Sequence, residues 1–400
     1  MFLEHSERAI GGTKEDERIS GPGHTSCPLR IAQLGPLYER IPPNFYGGTE
    51  RVVSYLTEEL VRRGHDVTLF ASGDSVTSAK LTSGFPRSLR LAGLSALGPG
   101  FHLPMLAEIY ENAKRFDVIH SHLDFWGFPF TRLCATPTIT TMHGRLDLET
   151  FKPIYDRFTH VPLVSISNSQ RLPLPLMNWI GTVFHGLPSD LLDFHPDLGK
   201  YLAFLGRICP EKRVDTAIDV ALKAGIPLKI AAKVDAVDQE YFKEIIKPKL
   251  RSPDVEFIGE IDEHQKNEFM GNALALLFPI DWPEPFGLAM IESLACGTPV
   301  ITRPCGSVPE IVTDGKTGFI TKTIDGLVAA VERVEQISRA DCRAEFESRF
   351  TSKHMADRYE QLYQSLILLK SQTQIPRTPR AGWTMLADER DQDETAPSLV

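Results

Sequence analysis

The chain has 400 residues, 42% hydrophobic and 24% charged, with a formal net charge of −9. That length suits two domains of roughly 100–200 residues each, and the composition is that of an ordinary globular protein. The acidic balance speaks against general nucleic-acid affinity, and no apolar run reaches membrane-spanning length, so no stable membrane insertion is expected.

Residues 1–28 are polar and glycine-rich, and the sequence predicts disorder there. They carry acids and lack the apolar stretch of a secretory signal. Cys27, Cys134, Cys209, Cys296, Cys305 and Cys342 are scattered without metal-ligand spacing. They read as reduced thiols of a cytoplasmic protein.

A first series of elements fills residues 29–186. Arg30 to Gly35 reads as a strand, and the loop after it ends in Gly47–Gly48. Val52, Val53, Leu56, Leu60 and Val61 then make one apolar helical face, capped by Gly64. Asp66 to Ser72 is the next strand. The glycine pair leaves room for a ligand phosphate, although a turn needing positive φ asks for the same residues. Residues 73–100 read as a long connection with little periodicity, and a helix is expected over Pro104 to Arg115.

Strands are expected at 117–122, 137–143 and 161–167, and residues 180–186 close the series. Strands alternating with helices imply a parallel, doubly wound α/β sheet, whose ligands bind beyond the carboxyl ends of the strands. His120, His122 and His143 fall at such ends. His143, followed by Gly144, is the candidate ligand residue; a histidine bonded to loop backbone is the plainer alternative. His120 and His122 are assigned to opposite faces of their strand, which keeps them out of one site. That geometry argues against a metal pair, and no third ligand stands at a familiar spacing.

Residues 187–200 have the proline and aspartate content of a linker. A second α/β series fills 201–349, with strands at 201–207, 227–234, 255–259, 273–278, 299–302 and 318–321. Helices are expected over 211–225, 238–250, 264–272 and 324–337, with a short one starting at Gly306. A long helix is expected over 350–370, then a polar, disordered tail over 371–400.

The densest stretch is Ala273 to Gly297. An unbroken apolar run reads as a buried parallel strand, and Pro283 and Pro285 hold the following loop out of helix. A helix then opens on Gly287. Its free N–H groups make a natural anion site. Phe286, Gly287, Leu288 and Ala289 form that turn, with Glu284 before it and Glu292 a turn further in. Such an arrangement suits a sugar nucleotide: amides on phosphates, Glu284 on sugar hydroxyls, Glu292 on ribose. An ordinary strand-to-helix turn with a solvated Glu292 has the same spacing. At the end of the 201–207 strand, Arg207 and Lys212 straddle a proline turn, and a fork and a point charge there suit a pyrophosphate clamp. An ion pair with Glu211 is the alternative.

These segments resemble a known family. PEPFGLAMIESLACGTPV carries the Glu-x7-Glu pattern, Glu284 and Glu292, of the retaining glycosyltransferases of family 4. GRICPEKR is similar to that family's phosphate-clamp segment, and YGGTERVVSYLTEELVRRGHDVTLFASG to its glycine loop and first helix. DVIHSH, TTMHG and SVPEIVTDGKTGFI fit as well.

The resemblance implies the GT-B fold: two Rossmann-like doubly wound domains facing across a cleft, with the last helix crossing back to the first. By the same resemblance Arg207 and Lys212 contact the donor diphosphate and Glu284 the donor sugar. Glu292 takes the ribose and His143 lies beside the sugar. Gly47 and Gly48 approach the phosphates, and Ile258 and Glu260 frame the base. Cys209 and Arg213 stand where a small residue and a glycine are common.

The implied activity is metal-independent, retaining transfer of a hexose from a nucleoside diphosphate sugar to an acceptor hydroxyl, with no cofactor. The acceptor would be a carbohydrate, a lipid-linked sugar or a small molecule. It would be recognised by residues 36–46, 73–100 and 123–130, where Phe125 and Trp126 offer either a stacking surface or a loop anchor. A sugar-nucleotide epimerase, a phosphorylase and a non-catalytic nucleotide-sugar-binding protein are the competing readings. A nicotinamide-dependent dehydrogenase is disfavoured because no G-x-G-x-x-G follows a strand.

Overall fold

The computed structural model describes residues 27–372, and the disorder expected at the two ends concerns, but for a few positions, residues outside that range. Seven parallel strands make the first sheet: β1 (Arg30–Leu34), β2 (Asp66–Ser72), β3 (Lys80–Phe85), β4 (Val118–Ser121), β5 (Thr138–Thr141), β6 (Leu163–Ser165) and β7 (Trp179–Thr182). Their order is β3-β2-β1-β4-β5-β6-β7. Six more form the second sheet: β8 (Tyr201–Arg207), β9 (Leu228–Lys233), β10 (Val255–Gly259), β11 (Ala273–Phe278), β12 (Val300–Thr302) and β13 (Gly318–Ile320). They run in the order β10-β9-β8-β11-β12-β13. In each sheet the order reverses beside the first strand, and a crevice opens at the strand ends there. The unbroken apolar run of β11 is buried along its whole length, as a strand covered on both faces must be.

Two stretches differ from the sequence expectation. Residues 73–100 contain edge strand β3, paired in parallel with β2 from Thr68↔Lys80 onward. Its sequence, KLTSGF, has no apolar alternation, and as the edge strand it is exposed or half-buried throughout. The next helix is Gly98–Glu111, with Pro104 inside it, and not Pro104 to Arg115. His102 fixes its start: the buried ring donates from Nδ1 to Gly98 O at 2.6 Å and accepts Leu37 N–H on Nε2 at 2.9 Å. That tertiary contact leaves no periodic trace in the sequence.

The expected single C-terminal helix is instead the end of a pair. Arg339–Arg349 is a helix of its own, capped by Ser338, and Ser352–Gln372 follows it. Its exposed positions hide the apolar period, while its buried positions include Arg339, Cys342 and Phe346. The Arg339 guanidinium donates to the carbonyls of His195 (2.6 Å), Gly271 (2.8 Å) and Ala273 (2.9 Å), and to Thr298 Oγ1 (2.8 Å). It thereby ties the linker to the root of β11.

The last helix crosses back to the first domain. The chain passes between domains twice, and the two passages are bonded to each other: Leu187 N–H to Phe350 O at 2.9 Å, and Ser352 N–H to Leu187 O at 2.7 Å. Beyond that point Tyr359 and Tyr363 are buried. Asp357 and Glu360 accept from Arg63 at 2.6 and 2.8 Å, and Glu360 also meets His65 at 2.7 Å. Among the described residues no helix is long and apolar enough to cross a membrane.

Replacing Arg339 by Ala would orphan several buried carbonyls at once. The expected loss is about 3 kcal/mol of stability, since each stranded polar group costs about 1–3 kcal/mol. A denaturant midpoint unchanged from wild type would contradict this account.

Candidate active site

The carboxyl ends of both sheets open onto one cleft of about 490 Å³, walled by both domains. From the second domain, β11 delivers a proline-held loop and then the helix Leu288–Ala295. Gly287 adopts φ 85, and a Cβ there would lie 2.8 Å from Met290 Cε. The turn into the helix therefore requires glycine, and its first amides face the cleft rather than a side-chain cap. The loop is held from behind by residues 306 and 307. Ser307 N–H donates to Glu284 O at 2.9 Å, and Ser307 Oγ to Phe286 O at 2.7 Å. A Cβ on Gly306 would lie 2.3 Å from the Glu284 nitrogen, so the two backbones touch.

Glu284 is 8% exposed, and its Oε2 accepts from Trp282 Nε1 at 3.0 Å and from Lys212 Nζ. The ammonium also stands over the rings of Phe278 and Trp282, 5.3 and 5.2 Å from their centroids. Arg207, at the end of β8, is held loosely by comparison. Glu211, Asp235 and Asp238 surround its guanidinium at 3.6–3.7 Å, outside hydrogen-bond range. Apart from a contact to the Cys209 thiol, its donors remain available to an anion in the cleft. Next to Lys212, Arg213 sits at φ 55, a left-handed conformation that favours glycine. The side chain holds it there, with fork contacts to Asp215 at 3.0 and 3.1 Å and a bond to Asp281 at 2.8 Å.

Glu292 is 3% exposed and accepts from Lys266 Nζ at 2.5 Å. Burial lowers the affinity of Lys266 for its proton, and the Glu292 carboxylate restores part of it. Lys266 was not anticipated. It lies in the helix Glu263–Gly271, whose N-terminus carries a reciprocal capping box between Asp262 and Gln265. That box is legible as D-x-x-Q and would have placed Lys266 on the helix's first turn. Across the cleft Arg51, in the helix Gly48–Arg62, forms an ion pair with Glu263 of that same helix. The two domains are therefore joined at the mouth of the cleft by charge.

The first domain brings Gly47, Gly48 and His143 into the cleft, and the second brings Arg207, Lys212, Glu260, Glu284, Phe286, Gly287, Leu288, Ala289 and Glu292. A Cβ on Gly48 would come within 3.6 Å of Leu288 Cδ1, so the glycine loop faces the helix turn directly. Ile258 is the exception: it is 37% exposed and does not line the cleft. The register shifts between Phe257 and Gly259, and Gly259 takes φ 79. This bend turns Glu260 and Ile261 inward in place of Ile258. Phe125 and Trp126 anchor their loop: Phe125 packs on Phe151 at 5.0 Å and Trp126 on His102 at 4.6 Å.

The histidines also correct the sequence reading. His120 and His122 share one face of the chain, with ring centroids 4.0 Å apart. Side chains alternate with period two, so residues two apart point the same way. His122 Nδ1 lies 2.9 Å from His143 Nε2, which joins the half-buried His143 to the buried pair. Burial lowers the proton affinity of His120, His122 and His143 well below the ordinary imidazole range, so all three are neutral at pH 7. His185, also unanticipated, stacks on His143 with centroids 5.2 Å apart.

Two facing doubly wound domains, with a terminal helix returning to the first, define the GT-B fold. A crystal structure of AviGT4, a glycosyltransferase involved in avilamycin A biosynthesis, superposes with a TM-score of 0.66 at 22% identity, covering 85% of this chain and 98% of that one. Anabaena Alr3699/HepE, crystallised with UDP and glucose, gives 0.65 at 16%, covering 84% and 100%. The Glycosyltransferase Family 4 model matches residues 46–181, and the Glycosyl transferases group 1 model matches residues 194–350. In sequence, the chain is 26% identical to phosphatidyl-myo-inositol mannosyltransferase of Mycolicibacterium smegmatis over 337 residues, which are 76% of this chain and 84% of that protein. The two family matches follow one another and together span most of the chain. The protein belongs to the GT-B glycosyltransferases of the group 1 and family 4 type.

Glu50, on the cleft wall, yields a test of its electrostatics. Burial pushes its carboxyl up to about 7 from 4.5, against backbone N–H groups that pull it down. Its folded proton affinity exceeds the unfolded one, so the stability it contributes is full below 4.5 and is lost as pH rises to about 7. Glu50→Gln should therefore raise the melting temperature above wild type at pH 8 and bring no gain at pH 4. An equal offset at both pH values would refute the assignment.

Proposed function

We propose that the protein transfers a hexose from a nucleoside diphosphate sugar to an acceptor hydroxyl, with retention at the anomeric carbon and without a divalent ion. The observation that carries this reading is the convergence, in one cleft, of Arg207, Lys212 and the Gly287-led helix turn with Glu284 and Glu292. A departing diphosphate develops negative charge, and fixed cations and amides aimed at it stabilise the transition state without reorganisation. Arg207 contributes a fork whose acidic neighbours stand too far off to satisfy it. Lys212 shares its charge between Glu284 and the incoming phosphate.

In this scheme Glu284 accepts hydrogen bonds from donor-sugar hydroxyls, and Glu292 from the ribose. His143 lies beside the sugar. Gly47 and Gly48 approach the phosphates from the first domain, and Glu260 stands at the base. The acceptor oxygen attacks the face from which the diphosphate leaves, and a leaving phosphate oxygen takes its proton. Attack and departure on one face give retention. Both domains supply groups, so the donor binds as they close, and the Arg51–Glu263 pair marks where they meet. The UDP found in the HepE structures makes UDP-sugars the first donors to try.

Arg207→Ala and Lys212→Ala should each lower kcat/KM by about a hundredfold, the usual effect of removing one such charge-stabilising group. Near-normal kinetics in either variant would reject the clamp. A chelator should leave the rate unchanged, whereas a loss restored by Mg²⁺ would reject metal independence. NMR of the product formed from an α-linked donor should show an α-glycoside, and a β-glycoside would reject retention.

A further inference from the structure

We infer that Gln33 is a positioning residue of the cleft: acting through His122, it places the proton of His143 on Nε2 and leaves Nδ1 as a bare lone pair.

Gln33 lies in β1 at the centre of the first sheet and is fully buried. A buried carboxamide must find partners for its oxygen and its nitrogen. The amide nitrogen of Gln33 donates to Tyr363 Oη at 3.2 Å, and its Oε1 faces His122 Nε2 at 2.9 Å. A carbonyl oxygen only accepts, so Nε2 of His122 carries the hydrogen. The ring is neutral and holds one proton, which leaves its Nδ1 an acceptor. The hydrogen in the 2.9 Å contact to His143 is then the one on His143 Nε2. By the same count, Nδ1 of His143 is unprotonated.

The burial pattern agrees. His143 Nδ1 is shielded and has no hydrogen-bond partner among the described residues. A stranded N–H is rarer and costlier than a stranded acceptor, so the proton belongs on the nitrogen with the partner. Turning the carboxamide over would reverse the sequence of bonds. An N–H would face His122 Nε2, His122 would donate from Nδ1, and the proton of His143 would be stranded on its Nδ1. What holds the carboxamide is the crossing helix. Tyr363 Oη also meets His120 Nδ1 at 2.7 Å, His120 Nε2 meets Thr141 Oγ1 at 2.8 Å, and Thr141 meets Tyr359 Oη at 2.9 Å. The tautomer of a ring in the cleft is thus set by a helix that reaches the first domain only through the interdomain crossing.

The consequence for catalysis rests on the proposed function: His143 meets the donor sugar as a neutral ring of fixed tautomer and not as a proton donor. The tautomer itself needs no substrate to be read. Two-bond ¹H–¹⁵N correlation spectra of the full-length, ligand-free protein with ¹⁵N-labelled histidine should show His143 protonated on Nε2. Protonation on Nδ1 would overturn the inference whatever the enzyme's substrate.

In Gln33→Glu a carboxylate beside Nε2 favours the imidazolium of His122, whose Nδ1–H must then be accepted by His143 Nε2. The His143 proton should move to Nδ1 and kcat/KM fall about tenfold, the worth of one displaced hydrogen bond in the cleft. Tyr363→Phe releases the carboxamide and should give a mixture of both tautomers, and it serves if the Glu variant does not fold. A wild-type tautomer in the folded variants would overturn the positioning role. An altered tautomer with wild-type kinetics would sustain that role and count against the reading of the cleft.

Discussion

The structure depends on where two parallel sheets stop. Right-handed crossovers bring each strand's carboxyl end to the same edge of its sheet, and helices start just beyond those ends. Facing the two edges concentrates loop backbone, helix N-termini and charged side chains in one crevice. The bonded passages at Leu187 and Ser352, and the docking of Tyr359 and Tyr363, keep the edges opposed. Arg207 ends β8, the Glu284 loop follows β11, and His143 follows β5.

Burying charge in such a crevice is costly unless each charge has a partner, because low polarity penalises an isolated ion by several kcal/mol. The second domain meets that cost with two carboxylate–ammonium pairs, Glu284 with Lys212 and Glu292 with Lys266. Arg207 is left with diffuse compensation from three carboxylates at a distance. The two pairs cancel, and the remaining donor capacity lies on Arg207 and the helix turn. In the proposed reaction an incoming diphosphate would meet preset dipoles and cations, and its sugar preset carboxylates.

The first domain adds a neutral imidazole cluster beside its charged lining residues Glu39, Arg51, Arg90 and Arg145. His120, His122 and His143 are held uncharged by burial, and their bonds run back through Gln33, Thr141 and the tyrosines of the crossing helix. The crossing helix serves both packing and chemistry, since the hydroxyls that satisfy the buried imidazoles lie on it.

The sequence by itself determined the class of fold and most of one wall. The apolar run of β11, the prolines after it and the glycine at 287 are local features, each tied to backbone sterics or two-sided burial. Arg207, Lys212, Glu284 and Glu292 stand within a few residues of such features and were legible from them. Other things were decided only when distant segments met. Lys266 owes its role to Glu292 on another helix, and His122 owes its proton to Gln33 on another strand. The start of the Gly98 helix is fixed by the contact between His102 and Leu37. Ile258 was misplaced because one shift of register in β10 exchanges inward and outward faces. Periodicity reports which way a residue points within its own element. Partnership across elements is a property of the packed molecule, and here it selects which charges are paired, which are free and where a buried proton sits.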